Sequence, residues 1–133
     1  MTRATGTFEI ETWDEAPYEE LGNSAKLTKA SVKQVYSGGL EAAARSEALM
    51  AYPGDDSAHY TSLVRVSGRL DGRTGSFLLQ GSGTYSGGTA TESWTVIPGS
   101  GTDELVGISG TGGYVATHDE RKYHLDYELA NSF

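Results

Sequence analysis

Along most of this chain apolar side chains return at every second residue, and the runs that do so are separated by short clusters of glycine. A β-strand turns successive side chains to opposite faces, so this period reads as strands with one face buried. Ala30, Val32, Gln34 and Tyr36 share a face against Lys29, Ser31 and Lys33. The same alternation predicts strand one over Ala4–Trp13, with Phe8 and Ile10 inward and Thr7, Glu9 and Glu11 outward, followed by an irregular connection over Asp14–Asn23. Strand two covers Lys26–Tyr36. Strand three runs to Tyr52, with Ala42, Ala44, Ser46, Ala48 and Met50 together, although its Ala42-Ala43-Ala44 run favours helix by intrinsic propensity. Strand four covers Ala58–Leu70, aligning Tyr60, Ser62, Val64 and Val66. Strand five carries Phe77, Leu79, Gly81, Gly83 and Tyr85 on one side, and strand six Ala90, Glu92, Trp94 and Val96. Strand seven spans Gly107–Thr117, and strand eight sets Tyr123, Leu125, Tyr127 and Leu129 against His124, Asp126 and Glu128.

The breaks are turn signals. Ser37-Gly38-Gly39, Tyr52-Pro53-Gly54-Asp55-Asp56, Asp71-Gly72 and Ser86-Gly87-Gly88 supply residues that accept tight or left-handed turns. Eight strands in sequence joined by short hairpins predict an all-β fold, a closed eight-stranded antiparallel up-and-down barrel, because closure removes exposed sheet edges. A β-sandwich is the competing architecture. Gly81, Gly83, Gly110 and Gly112 suit the coiling of a small barrel. The 133 residues are expected to form a single domain, 1–133.

Eighteen acidic residues against ten basic ones leave a formal charge of −8, which disfavours nucleic acid as a partner. Lys26, Lys29 and Lys33 form the nearest basic patch, and Glu9, Glu11 and Glu41 are expected to dilute it. There are no cysteines, hence no disulfide framework, thiolate nucleophile or zinc–cysteine site. The amino terminus, Met-Thr-Arg-Ala-Thr-Gly, has no signal-peptide core, and no run approaches the ~20 apolar residues that span a bilayer. A soluble cytoplasmic protein without a membrane partner is expected, with homo-oligomerisation open.

Gly6-Thr7-Phe8, Trp13, Leu27-Thr28-Lys29-Ala30-Ser31-Val32, Leu49-Met50-Ala51-Tyr52, Gly75-Ser76-Phe77, Trp94-Thr95-Val96, Pro98-Gly99-Ser100-Gly101-Thr102 and Leu125-Asp126-Tyr127 occur in this order along nearly the whole chain. Together they resemble the bacterial domain-of-unknown-function family 3224, which is similar to the allene oxide cyclase barrel group. The resemblance implies the barrel and its lumen. It implies no reaction, and no catalytic motif is carried over, since a fold does not by itself assign a function. Val64 and Gly81 depart from the family pattern where a polar side chain is expected, Ala42 and Ala44 where glycines are, and Glu92 where a small residue is. All five fall on inward faces, the mark of a re-shaped lumen in a specialised or engineered member.

Within such a lumen Glu92 is the candidate catalytic residue. A carboxylate facing apolar neighbours has its pKa raised by desolvation, which suits acid–base work near neutrality. The competing reading puts Glu92 at a barrel mouth, or gives strand six the opposite phase. Phe8, Gln34, Tyr36, Met50, Tyr60, Phe77, Trp94, Tyr114 and Tyr127 are the candidate substrate-binding residues; their rings supply apolar wall and their polar groups fix an oxygen. Simple core packing is the alternative for the aromatics. His118 and His124 flank Asp119 and Glu120 in the final hairpin, but no third histidine lies nearby, and neither a metal nor a cofactor is expected. No G-x-S-x-G, G-x-G-x-x-G or P-loop pattern occurs. The partner expected is a small hydrophobic organic molecule. Three functions fit: a cyclase or isomerase that folds its substrate in the lumen with Glu92 as acid or base, a non-catalytic carrier, or a structural oligomeric barrel.

Overall fold

In a computed structural model that describes residues 1–54 and 56–130, the chain forms eight antiparallel strands. They are β1 (Thr2–Gly22), β2 (Ala25–Gly38), β3 (Leu40–Tyr52), β4 (Ser57–Leu70), β5 (Arg73–Ser86), β6 (Thr89–Val96), β7 (Ile108–Ala116) and β8 (Arg121–Leu129). Each pairs with its neighbour in sequence, and β1 also pairs with β8 along Thr2–Thr7, so one continuous sheet returns on itself as a ring. This is one sheet, not the two of a sandwich. Apart from Tyr85 of β5, the alternation predicted for β2 through β6 matches the observed faces: in β2 and β3 Ala30, Val32, Gln34, Tyr36, Ala42, Ala44, Ser46, Ala48 and Met50 are buried, while Lys29, Lys33, Glu41 and Arg45 are exposed. The alanine run is strand, because its every second residue is buried between β2 and β4.

The stretch expected to be an irregular connection, Asp14–Asn23, is instead mostly strand: β1 continues to Gly22 and pairs with β2. The alternation is hidden there by a bulge. Ile10 faces Gln34 and Thr12 faces Lys33, so Glu11 is an extra residue and the inward set changes from Phe8 and Ile10 to Trp13 and Glu15. Further shifts lie between Pro17 and Glu19 and between Glu20 and Gly22. Lys29 lies 3.9 Å from Glu47 on β3, rather than against the carboxylates of β1. Asp55, in the turn predicted after Tyr52, lies outside the described residues.

The hairpins use the expected chemistry. Asp71 and Gly72 both take positive φ, 47° and 86°, as a two-residue turn with the strands' twist requires. After β6 the chain runs beside β5, where Ser100 Oγ accepts from the Leu78 N–H and Thr102 Oγ1 from the Ser76 N–H. A short 3-10 turn, Asp103–Leu105, then drives Leu105 into the core at 1% exposure. That end of the ring is packed with Leu40, Val66, Leu70, Phe77, Leu79 and Ile108. A second, smaller cluster of Ala30, Val32, Ala48, Met50 and Ala58 lies toward the opposite end. Among the described residues no helix is long and apolar enough to cross a membrane.

Candidate functional site

The two ends of the ring interior differ in side-chain size. Toward the β1–β2, β3–β4, β5–β6 and β7–β8 turns alanines stand between the larger inward side chains, and a cavity of about 280 Å³ remains. Phe8, Ile10 and Trp13 of β1, Ala30, Val32 and Gln34 of β2, and Ser46, Ala48, Met50 and Tyr52 of β3 line one side. Ala58 and Tyr60 of β4, Tyr85 of β5, Ala90 and Glu92 of β6, and Tyr114 and Ala116 of β7 line the other. No Lys, Arg or His is among them.

Glu92 is 5% exposed and inward, as its phase with Trp94 predicts. Gly81 makes its position possible, and Gly83 makes room for the Thr91 carbonyl and the neighbouring Tyr60 ring. Tyr60, Gly83, Glu92 and Tyr114 face one another in turn across β4, β5, β6 and β7. A Cβ on Gly83 would sit 2.7 Å from the Tyr60 ring, and one on Gly81 2.8 Å from the Glu92 carboxyl carbon. The ring and the carboxyl group therefore both lie over β5, and Glu92 reaches Ser62 on β4. Ser62 Oγ donates to Oε1 at 2.9 Å, and Trp94 Nε1 donates to Oε2. Burial raises the Glu92 pKa, and these two hydrogen bonds only partly oppose it.

Next to it the hydroxyls of Tyr60 and Tyr114 form a hydrogen bond of 3.0 Å. Burial is the main cause that pushes Tyr60 up to about 12, and burial followed by the charge of Glu92 pushes Tyr114 up as well. Both phenols keep their protons at neutral pH. Phe8 stacks on Tyr36 with ring centroids 5.1 Å apart, and Tyr114 meets the edges of Phe8 and Trp94 at 5.1 and 5.9 Å. Gln34 is buried, and its Oε1 has no hydrogen-bond partner among the described residues.

At the mouth, Glu15 joins three elements. Its Oε2 accepts from Thr28 Oγ1 at 2.6 Å and from the Tyr52 hydroxyl at 2.5 Å, and its Oε1 from Trp13 Nε1 at 2.9 Å. Burial alone would raise its pKa, but these three hydrogen bonds with Lys26 nearby hold it below the usual range.

The cavity thus brings together Glu92, Phe8, Gln34, Met50, Tyr60 and Tyr114 from the sequence-predicted set. Tyr36 and Trp94 pack directly behind its aromatic wall. Phe77 and Tyr127 are not cavity residues. Phe77 fills the packed end, and the Tyr127 hydroxyl donates to Asp71 at the β4–β5 turn. Tyr85, predicted inward, is 43% exposed, because its place just before the β5–β6 turn sets it at the cavity rim. Trp13, Glu15, Tyr52 and Ser62 were not among the predicted site residues, although Ser62 was placed inward beside Tyr60. The first two are hidden by the bulge, and Ser62 acquires its role only through its contact with Glu92, thirty residues away.

A family model described as "Protein of unknown function (DUF3224)" matches residues 4–127. A crystal structure of a protein of unknown function from that family, from Shewanella oneidensis MR-1, shares 28% identity with a TM-score of 0.79. The match covers 98% of this chain and 99% of the other. No curated protein matches the chain.

Proposed function

This chain belongs to the DUF3224 family of proteins of unknown function, and from its own interior we propose that it binds a compact, largely apolar small molecule inside the ring of strands. We read that ring as a closed up-and-down barrel of the allene oxide cyclase-like kind, with its lumen filled at one end and hollow at the other. The observation that carries the reading is the 280 Å³ cavity, walled by aliphatic and aromatic side chains and holding one buried carboxyl group. An apolar cavity of ~150 Å³ already takes up benzene, so this one has room for roughly a two-ring molecule. A few polar groups in an apolar cleft orient a ligand; here Glu92, Gln34 and the Tyr60–Tyr114 hydroxyl pair supply them.

Titration with naphthylmethanol tests the reading, followed by the emission of Trp13 and Trp94. Saturable binding at one site per chain is expected, and Ala48→Phe, which fills the cavity from β3, should abolish it. Absence of saturation, or indifference to Ala48→Phe in a folded protein, overturns the reading.

The buried Glu92 favours one extension, the cyclisation or isomerisation of the bound molecule. A cage that holds a flexible molecule in a reactive conformation removes part of the entropic barrier. A carboxyl group of raised pKa within the cage is suited to proton transfer.

A further inference from the structure

The cavity holds a carboxyl group but no cationic side chain. Glu92 receives one hydrogen bond on each carboxyl oxygen, leaving lone pairs on both, and no lining side chain carries a positive charge. Around this carboxyl group stand the rings of Phe8, Tyr60 and Tyr114, with Trp13 at the mouth beside Tyr52, whose ring already carries the Lys26 ammonium 5.0 Å from its centroid. A carboxylate set among aromatic rings is the chemistry that recognises an organic ammonium, through a counter-charge and the negative faces of such rings. The approach is favourable too. The protein carries a formal charge of −8, and along the strands that lead to the mouth Glu9, Glu11, Asp14, Glu15, Glu19 and Glu20 of β1 outnumber Lys26, Lys29 and Lys33 of the paired β2. Such a field draws cations and repels carboxylate or phosphate ligands.

We propose that the ligand of this cavity is a compact hydrophobic amine, bound as its ammonium ion with the nitrogen at Glu92 and the hydrocarbon against the aromatic wall. The inference rests on the cavity being the binding site. The ammonium supplies N–H donors to the free lone pairs of Glu92 and provides the counter-charge that no lining side chain carries. It also holds Glu92 ionised, so in any turnover of such a molecule Glu92 acts as base rather than acid.

Three probes with one ring system separate the possibilities: naphthylmethylamine, naphthylmethanol and naphthoate, titrated into the intact protein. Near neutral pH the amine should bind at least about tenfold more tightly than the alcohol, a preference worth about 1.4 kcal/mol, and naphthoate should not bind. In Glu92→Gln the amine should lose that advantage while the alcohol keeps its affinity. A second readout needs only the wild-type protein. As pH falls and Glu92 takes up a proton, the amine-to-alcohol affinity ratio should fall toward one. An alcohol that binds as tightly as the amine, a ratio unmoved by pH, or a preference that survives Glu92→Gln overturns the ammonium assignment and leaves the cavity reading intact. Failure of all three probes to bind overturns both.

Discussion

Glu92 links stability to pH through a carboxyl group that is costly to ionise where it lies. Its folded pKa is raised, so its contribution to stability is fully present below the unfolded value of about 4.3 and is lost as pH rises through the folded value. Glu92→Gln removes that loss. Its advantage in melting temperature over the wild type should be larger at pH 7 than at pH 4; equal differences at the two pH values would show that the carboxyl group is not titrating abnormally. If the protein turns over a substrate with Glu92 in proton transfer, the same variant should lose roughly 10²–10⁴ in kcat, with a much smaller change in ligand affinity. Tyr123 is a purely structural counterpart. Its hydroxyl accepts from the Leu40 N–H at 2.9 Å and donates to the Ser37 carbonyl at 2.9 Å, fastening β8 to the β2–β3 turn. Gly6 must be small beside it, since a Cβ there would sit 1.9 Å from the Ser37 carbonyl oxygen and 2.8 Å from that hydroxyl. Tyr123→Phe leaves a buried N–H unpaired, and chemical denaturation should show a loss of about 1–3 kcal/mol.

At the scale of elements, β1 is the unusual strand. It is bound to β8 only along Thr2–Thr7, and beyond that it pairs with β2 alone out to Gly22. The free edge carries several carboxylates and Pro17, features that discourage pairing with another chain. The bulge at Glu11 reconciles this long strand with the interior, since Trp13 still lies opposite Val32 and Glu15 opposite Ala30. Deleting Glu11 should therefore be tolerated: Thr12 stays opposite Lys33, the ladder becomes regular, and Trp13 keeps its place, which its emission spectrum would report. Deleting Ser31, which pairs with both Asp14 and Glu47, offers no such relief. One part of β2 must then turn its buried face outward, and the protein should fail to fold. Equal tolerance of the two deletions would contradict this account of the register.

The whole molecule separates a packed end from a hollow one. Leu105, driven inward by the connection after β6, belongs to the packed end, where Gly75 lies close enough that a Cβ would sit 3.1 Å from its side chain. Leu105→Ala should cost about 2–5 kcal/mol of stability, because the rigid surroundings do not collapse into the space. Naphthylmethanol affinity of the folded variant should be unchanged, since the cavity lies at the other end; a parallel loss would mean that the two ends are coupled.

Strand number, turn positions and the inward faces of β2 through β6 were legible in the sequence. They follow from local physics: side chains alternate by steric necessity, and Asp71-Gly72 or Gly87-Gly88 accept positive φ whatever lies elsewhere. The inward orientation of Glu92 was legible for the same reason. The second half of β1 was not, because one extra residue inverts its period and only the ladder with β2 reveals the true faces. Nor could the chain alone tell that Phe77 and Tyr127 are structural while Tyr60 and Tyr114 face a cavity. Identical alternation places all four inward, and whether the space before them is filled depends on side chains from other strands. The glycines at Gly81 and Gly83 read as aids to curvature. Only the tertiary structure makes Gly81 a clearance for the Glu92 carboxyl group and Gly83 one for the Thr91 carbonyl and the Tyr60 ring, because the groups that need the room come from β6 and β4.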